Sequence, residues 1–133
     1  MDFREYLKTY NAQDKINKLA KKYKKRKIVI YGAGQFSNAI FQNYDLSGLN
    51  IVAICDKKYE SKNCENYYNY KCISPDELKD YDCDLILISN FDYNRFLTIL
   101  DDHILYRTKN EGIEIRPLIN LTFADLFLKG IKI

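Results

Sequence analysis

KIVIYGAGQFSNAIF, residues 27–41, joins an apolar run to a glycine-rich turn and then to a helical pattern. "KIVIY" is rich in β-branched residues and reads as a strand buried on both faces. Gly32 and Gly34 follow at once. From Gln35 to Tyr44 the apolar residues recur at helical spacing. A strand, a glycine turn and a helix in that order form the opening unit of an open α/β sheet.

Outward from that unit the alternation continues. "NIVAICD" predicts a second buried strand ending in an acid, and "KCIS" a short third one. Ser74, Pro75 and the acids after them are helix-start signals. "CDLILIS" predicts the fourth strand. "DYNRFLTILDDHILYRTKNEG" predicts an amphipathic helix stopped by Gly112. "IEIRPLI" predicts the fifth strand and "TFADLFLKG" a last short helix. The polar, tyrosine-rich segment 57–70 reads as a loop. Continuous apolar strands need cover on both faces, and right-handed crossovers place neighbours in sequence beside each other. The expected fold class is therefore α/β, a three-layer sandwich around a parallel sheet of about five strands in the order 3-2-1-4-5.

Residues 1–27 carry ten Lys and Arg against three acids, a charge of +7, whereas the remainder carries −4. Two helices are expected there, broken near "YNAQD", with Asn11 or Asp14 capping the second. Phe3, Leu7 and Tyr10 form one apolar stripe; Ile16, Leu19, Ala20 and Tyr23 form another. The expected organisation is a basic helical segment, 1–26, and a nucleotide-binding domain, 27–133. The stripes favour packing on the sheet, on a second copy as a homodimer, or on a partner catalytic domain, with the lysines solvated. The acidic body disfavours a nucleic-acid partner. No apolar run approaches the ~20 residues of a membrane span. The N-terminus lacks a signal-peptide pattern, which places the protein in the cytoplasm.

The four cysteines, Cys55, Cys64, Cys72 and Cys83, form no C-x-x-C pair, and His103 is the only histidine. This favours reduced core thiols over a zinc site. Cys64 and Cys72 flank the loop and could be exposed. His103 falls within a predicted helix, away from the expected ligand edge, so no catalytic residue is assigned.

The candidate cofactor-binding residues are Gly32, Gly34, Gln35, Phe36, Ser37, Asp56, Lys57, Ser89 and Asn90. Gly32, Gly34 and Ser37 hold the G-x-G-x-x-G positions, with serine in the third slot. Gly32 allows the tight turn, Gly34 lets backbone approach a pyrophosphate, and Ser37 lets the helix pack on its strand. The helix N-terminus offers free N–H groups to the phosphate. Asp56 lies 22 residues after Gly34, where an acid accepts from a ribose 2′-hydroxyl and favours NAD over NADP; the less favoured alternative is that it merely caps a loop. Ser89, Asn90 and Phe91 border the point where the strand order reverses. There Ser89 and Asn90 could bond a ligand, or Asn90 could cap a helix.

These stretches, with Gly32, Gly34, Asp56, Pro75 to Leu78 and Leu85 to Ser89, resemble the Rossmann-like domains of bacterial glycan-biosynthesis proteins. The resemblance is to polysaccharide-biosynthesis nucleotide-sugar dehydratases and to the N-terminal domain of sugar O-acyltransferases. Similar domains accompany some methyltransferases. It covers about residues 27–118. Acyltransferase repeats are absent, as is a suitably placed Tyr-x-x-x-Lys pair. The resemblance implies a module binding NAD or a nucleotide-sugar, regulatory or substrate-holding, and not catalytic alone. It also fits a piece of a nucleotide-sugar-modifying enzyme. A domain that keeps the fold and has lost the ligand is the opposing reading.

Overall fold

The computed structural model describes residues 2–61, 65–91 and 113–120. The helices expected in "DYNRFLTILDDHILYRTKNEG" and "TFADLFLKG", with His103 and Cys64, lie outside these residues. The chain opens with helices α1 (Phe3–Thr9) and α2 (Ala12–Lys22). It continues as β1 (Ile28–Tyr31), α3 (Gln35–Asn43), β2 (Ile51–Cys55), β3 (Asn66–Tyr67), β4 (Tyr70–Ile73), β5 (Leu85–Ile88) and β6 (Glu114–Pro117). Two 3-10 helices, Lys57–Glu60 and Pro75–Asp80, stand between strands.

The strands form one six-stranded mixed sheet in the order β3-β4-β2-β1-β5-β6. This corrects the expected five-stranded, all-parallel sheet in the order 3-2-1-4-5 between two helical layers. The added strand is β3, antiparallel to β4 through the pairs Asn66↔Lys71 and Tyr67↔Tyr70. It arises in the segment that reads as a loop. Tyr68 (φ 50°) and Asn69 (φ 69°) both take left-handed backbone, the requirement of a tight two-residue hairpin. Asparagine tolerates that region, and tyrosines suit the flanking strands.

The expected layers are also corrected. All three α-helices described pack on one face, where Leu7, Ala12, Ile16, Phe36, Ala39 and Ile40 join Ile28, Ile30, Ile54, Leu85 and Leu87 in one core. On the other face Val29, Tyr31, Ala53, Cys55, Ile73, Ile86 and Ile88 meet Leu78 and Cys83. Leu78 belongs to a 3-10 helix of six residues with a Ser74–Glu77 capping box. Only residues 74–84 separate β4 from β5, and this short helix occupies the middle of that gap.

The central strands alternate strictly between the two cores, as a pleat requires. One irregularity interrupts the register: Ile28 faces Ile51, but Val29 faces Ala53. Val52 is the extra residue of a bulge, so it and Ala53 both turn to the second core. Asn11 enters left-handed backbone (φ 53°) between α1 and α2 and makes no side-chain cap bond. That kink folds the two apolar stripes onto the same sheet face. Below β1, Lys27 N–H donates to Asp84 and its ammonium to Asp82, both at 2.7 Å. Asp82 holds that exposed lysine's pKa above its ordinary value. Arg26 pairs with Glu114 at 3.1 Å, tying the end of α2 to the edge strand β6. No helix among the described residues is long and apolar enough to cross a membrane.

Candidate functional site

The site is built at the carboxyl ends of β1, β2 and β5. β1 runs into Gly32, whose φ of +116° is open to glycine. A Cβ at Gly32 would stand 2.8 Å from the Ser89 carbonyl oxygen, so this turn needs glycine twice over. The backbone is held from both sides. Gly32 N–H donates to Cys55 and Ser89 N–H to Tyr31, each at 2.8 Å.

Gly34 differs. Its φ of −94° suits any residue, and a Cβ there would meet nothing within 4 Å. Its lack of a side chain leaves open space beside the first turn of α3. Gly34 and Gln35 are exposed at that turn. Among the described residues no side chain caps α3 and its first turn holds no acid, so its leading N–H groups have no side-chain cap.

Asp56 ends β2 and reaches back to the turn. One carboxylate oxygen accepts from Ala33 N–H at 2.7 Å, the other from Lys58 N–H at 2.9 Å. The Lys58 ammonium in turn donates to the Ala33 carbonyl. This ring of bonds couples β2 to the glycine turn. It also sets a positive charge beside the N-terminus of α3. Lys57 is exposed at the start of the 3-10 helix and makes no contact with the turn in the hydrogen bonds described. Lys58, two residues after Asp56, is the cation that reaches it. The signal was the 3-10 turn capped by Asp56, which brings the second following residue back over the acid.

Phe36 and Ser37 face inward. Phe36 is 6% exposed, and Ser37 is fully buried. The Tyr67 hydroxyl of β3 lies 3.1 Å from Ser37 Oγ and donates to Asn38 Oδ1. The hairpin thus latches onto the first turn of α3. Burial pushes the Tyr67 phenol up to about 12. Phe41 packs against Tyr67, Tyr68 and Tyr70, stacking on Tyr68 with ring centroids 5.5 Å apart. The clustered tyrosines, which carry no assigned role in the sequence, therefore fasten the hairpin to α3. The alternation in "YYNY" was the signal for that strand.

On the β5 side Ser89 is buried at 2% exposure, and its hydroxyl has no partner among the described residues. Asn90 is half-buried, and Phe91 is 38% exposed. Phe91 packs on Phe36 at 5.7 Å, and both pack on Phe3 of α1, at 5.3 and 5.2 Å. Cys55, Cys72 and Cys83 are buried, so the exposure open to Cys72 in the sequence is corrected: β4 carries it into the sheet. Burial raises the Cys83 thiol to about 11. Among the described residues no group of three His, Cys, Asp or Glu could hold a metal. A cleft of about 210 Å³, lined by Lys8, Gln13 and Tyr44 among others, sits at the opposite end of α3.

Residues 24–114, from the end of the helical pair to the edge strand, match the family model described as C2185-like, N-terminal. The chain belongs to this family. No curated protein and no solved structure matches it. The C2185-like match takes in the glycine turn, Asp56, Lys58 and the hairpin, and it begins after α1 and α2.

Proposed function

We propose that this C2185-like domain is a nucleotide-binding module that holds NAD(H) or a nucleotide-sugar at the carboxyl ends of β1 and β2. One observation carries the reading. The first turn of α3 is uncapped, Gly34 leaves open space beside it, and the Lys58 ammonium stands on the same turn. A helix N-terminus with free N–H groups, a missing side chain and a nearby cation is suited to a phosphate. Asp56 shapes the turn and keeps lone pairs with which to accept from a ribose hydroxyl.

The module is regulatory or substrate-holding and not catalytic alone, a reading supported by the described residues around the turn, which include no acid–base pair or activated nucleophile. A role in bacterial surface-glycan biosynthesis, alone or as a piece of a nucleotide-sugar-modifying enzyme, rests on the sequence resemblance. A second reading, a fold kept for protein–protein interaction without a ligand, draws on Asp56. Both its oxygens already bond backbone N–H groups, which explains the acid structurally.

Thermal-shift titration with NAD, NADH, NADP, AMP, coenzyme A and nucleotide-sugars separates the two. A ligand at 100 times its Kd adds about 2.7 kcal/mol, a rise of several degrees at this size. A rise lost in Gly34→Val supports binding at the turn. No rise with any compound, in folded protein, favours the interaction reading.

A further inference from the structure

A dinucleotide in an open α/β sheet lies across the carboxyl edge where the strand order reverses. In this sheet the order reverses between β1 and β5. Among the described residues aromatic rings cover that crevice. Its floor is tight, because the Ser89 carbonyl abuts Gly32 so closely that a single Cβ would collide. Its mouth is covered by four rings: Phe36 from the turn side, Phe91 from the β5 side, and Phe3 and Tyr6 from α1. Phe3 touches both flanking rings, at 5.2 and 5.3 Å, and Tyr6 stands 5.0 Å from Phe91. Leu7, fully buried, anchors α1 beneath them. The β2 side of the turn is open by contrast, with Gly34, Gln35, Lys57 and Lys58 exposed.

We infer that the site takes a single nucleoside diphosphate, and that α1 acts as a plug excluding the second nucleoside of a dinucleotide. This rests on the nucleotide reading above and narrows it away from NAD. The phosphates meet the α3 N-terminus and Lys58, and the nucleoside lies on the β2 side near Asp56. The path to the β5 side is covered by the mutually packed rings of Phe3, Tyr6, Phe36 and Phe91.

The test is calorimetric titration of the full chain with two pairs of probes that differ by one nucleoside: ADP against NAD, and UDP against diuridine diphosphate. The expected result is that the single-nucleoside member of at least one pair binds and its partner binds about tenfold more weakly or worse. In the double variant Phe3→Ala, Tyr6→Ala, which leaves Leu7 in place, the gap should close within that pair. Equal binding within a pair by the natural sequence overturns the inference alone, as does a gap that persists in a folded double variant. If the double variant does not fold by circular dichroism, the ratio in the natural sequence decides. Binding of none of the four probes overturns the nucleotide reading and the plug together.

Discussion

On the β2 side of the glycine turn the chain is open and polar, with Lys57 and Lys58 exposed; on the β5 side it is covered by aromatic rings. Gly34 and Gly32, two residues apart, show the contrast at atomic scale. A side chain at Gly34 would meet empty space, whereas one at Gly32 would strike the Ser89 backbone. The two glycines look equivalent in a motif and are not. Gly32 is required by the fold, through its φ and the approach of β5. Among the described residues nothing requires glycine at Gly34, and its smallness leaves space beside the helix end. Asp56 stands between these cases: it holds the turn with two backbone hydrogen bonds on the open side.

Substitutions break this comparison in order of size. Gly32→Val should have the largest effect, about 3 kcal/mol or more, since it adds a strained φ to a backbone collision. Chemical denaturation would show it, and an unchanged midpoint would refute the close approach of β5. Leu7→Ala, on the closed side, should cost about 2–4 kcal/mol as a cavity under α1. A loss well below that would mean that α1 is not integral to the core. Asp56→Ala should cost about 1–3 kcal/mol by leaving the Ala33 and Lys58 N–H groups unpaired. If Asp56 also meets a ribose, nucleotide affinity should fall beyond what the stability loss explains.

Gly34→Val sharpens the contrast with Gly32. Its stability should change by under about 1 kcal/mol, because glycine here offers no cap bond to lose. Nucleotide binding should nevertheless disappear, as read by titration. Full affinity in this variant would remove the phosphate turn. Tyr67→Phe should cost only about 1 kcal/mol, from losing the hydroxyl's contacts with Ser37 and Asn38, and should leave binding intact. It carries a pH signature. The folded phenol titrates at about 12 against an ordinary 10.0. Folding therefore resists its ionisation, and this contribution is intact below pH 10 and lost as pH rises through 12. Tyr67→Phe should lessen the drop in stability between pH 10 and 12; an identical pH profile would place Tyr67 away from α3.

Much of the chain announces itself locally. β1, β2 and β5 are short runs of β-branched and apolar residues, and each forms where its pattern lies. Gly32 marks the turn because few residue types tolerate its backbone. Ser74, Pro75 and Glu77 mark a helix start through capping chemistry that spans four residues. The end of β2 places Asp56 at the carboxyl edge by strand length alone.

What eludes local reading is set by partners far along the chain. β3 exists because Tyr67 reaches Ser37 and Asn38, some thirty residues earlier, and because two residues accept left-handed backbone to let it. The inner bonding of Asp56 depends on how close β2 brings it to Ala33. Lys58 joins the site through the same fold-back, while Lys57 beside it turns to solvent. The aromatic closure needs α1, α3 and the loop after β5 to meet, and no spacing within any one of them encodes that meeting. Period and turn chemistry are nearest-neighbour properties, so sequence carries them openly. Which helix covers which edge depends on summed burial across the whole sheet, and that sum exists only once the chain is folded.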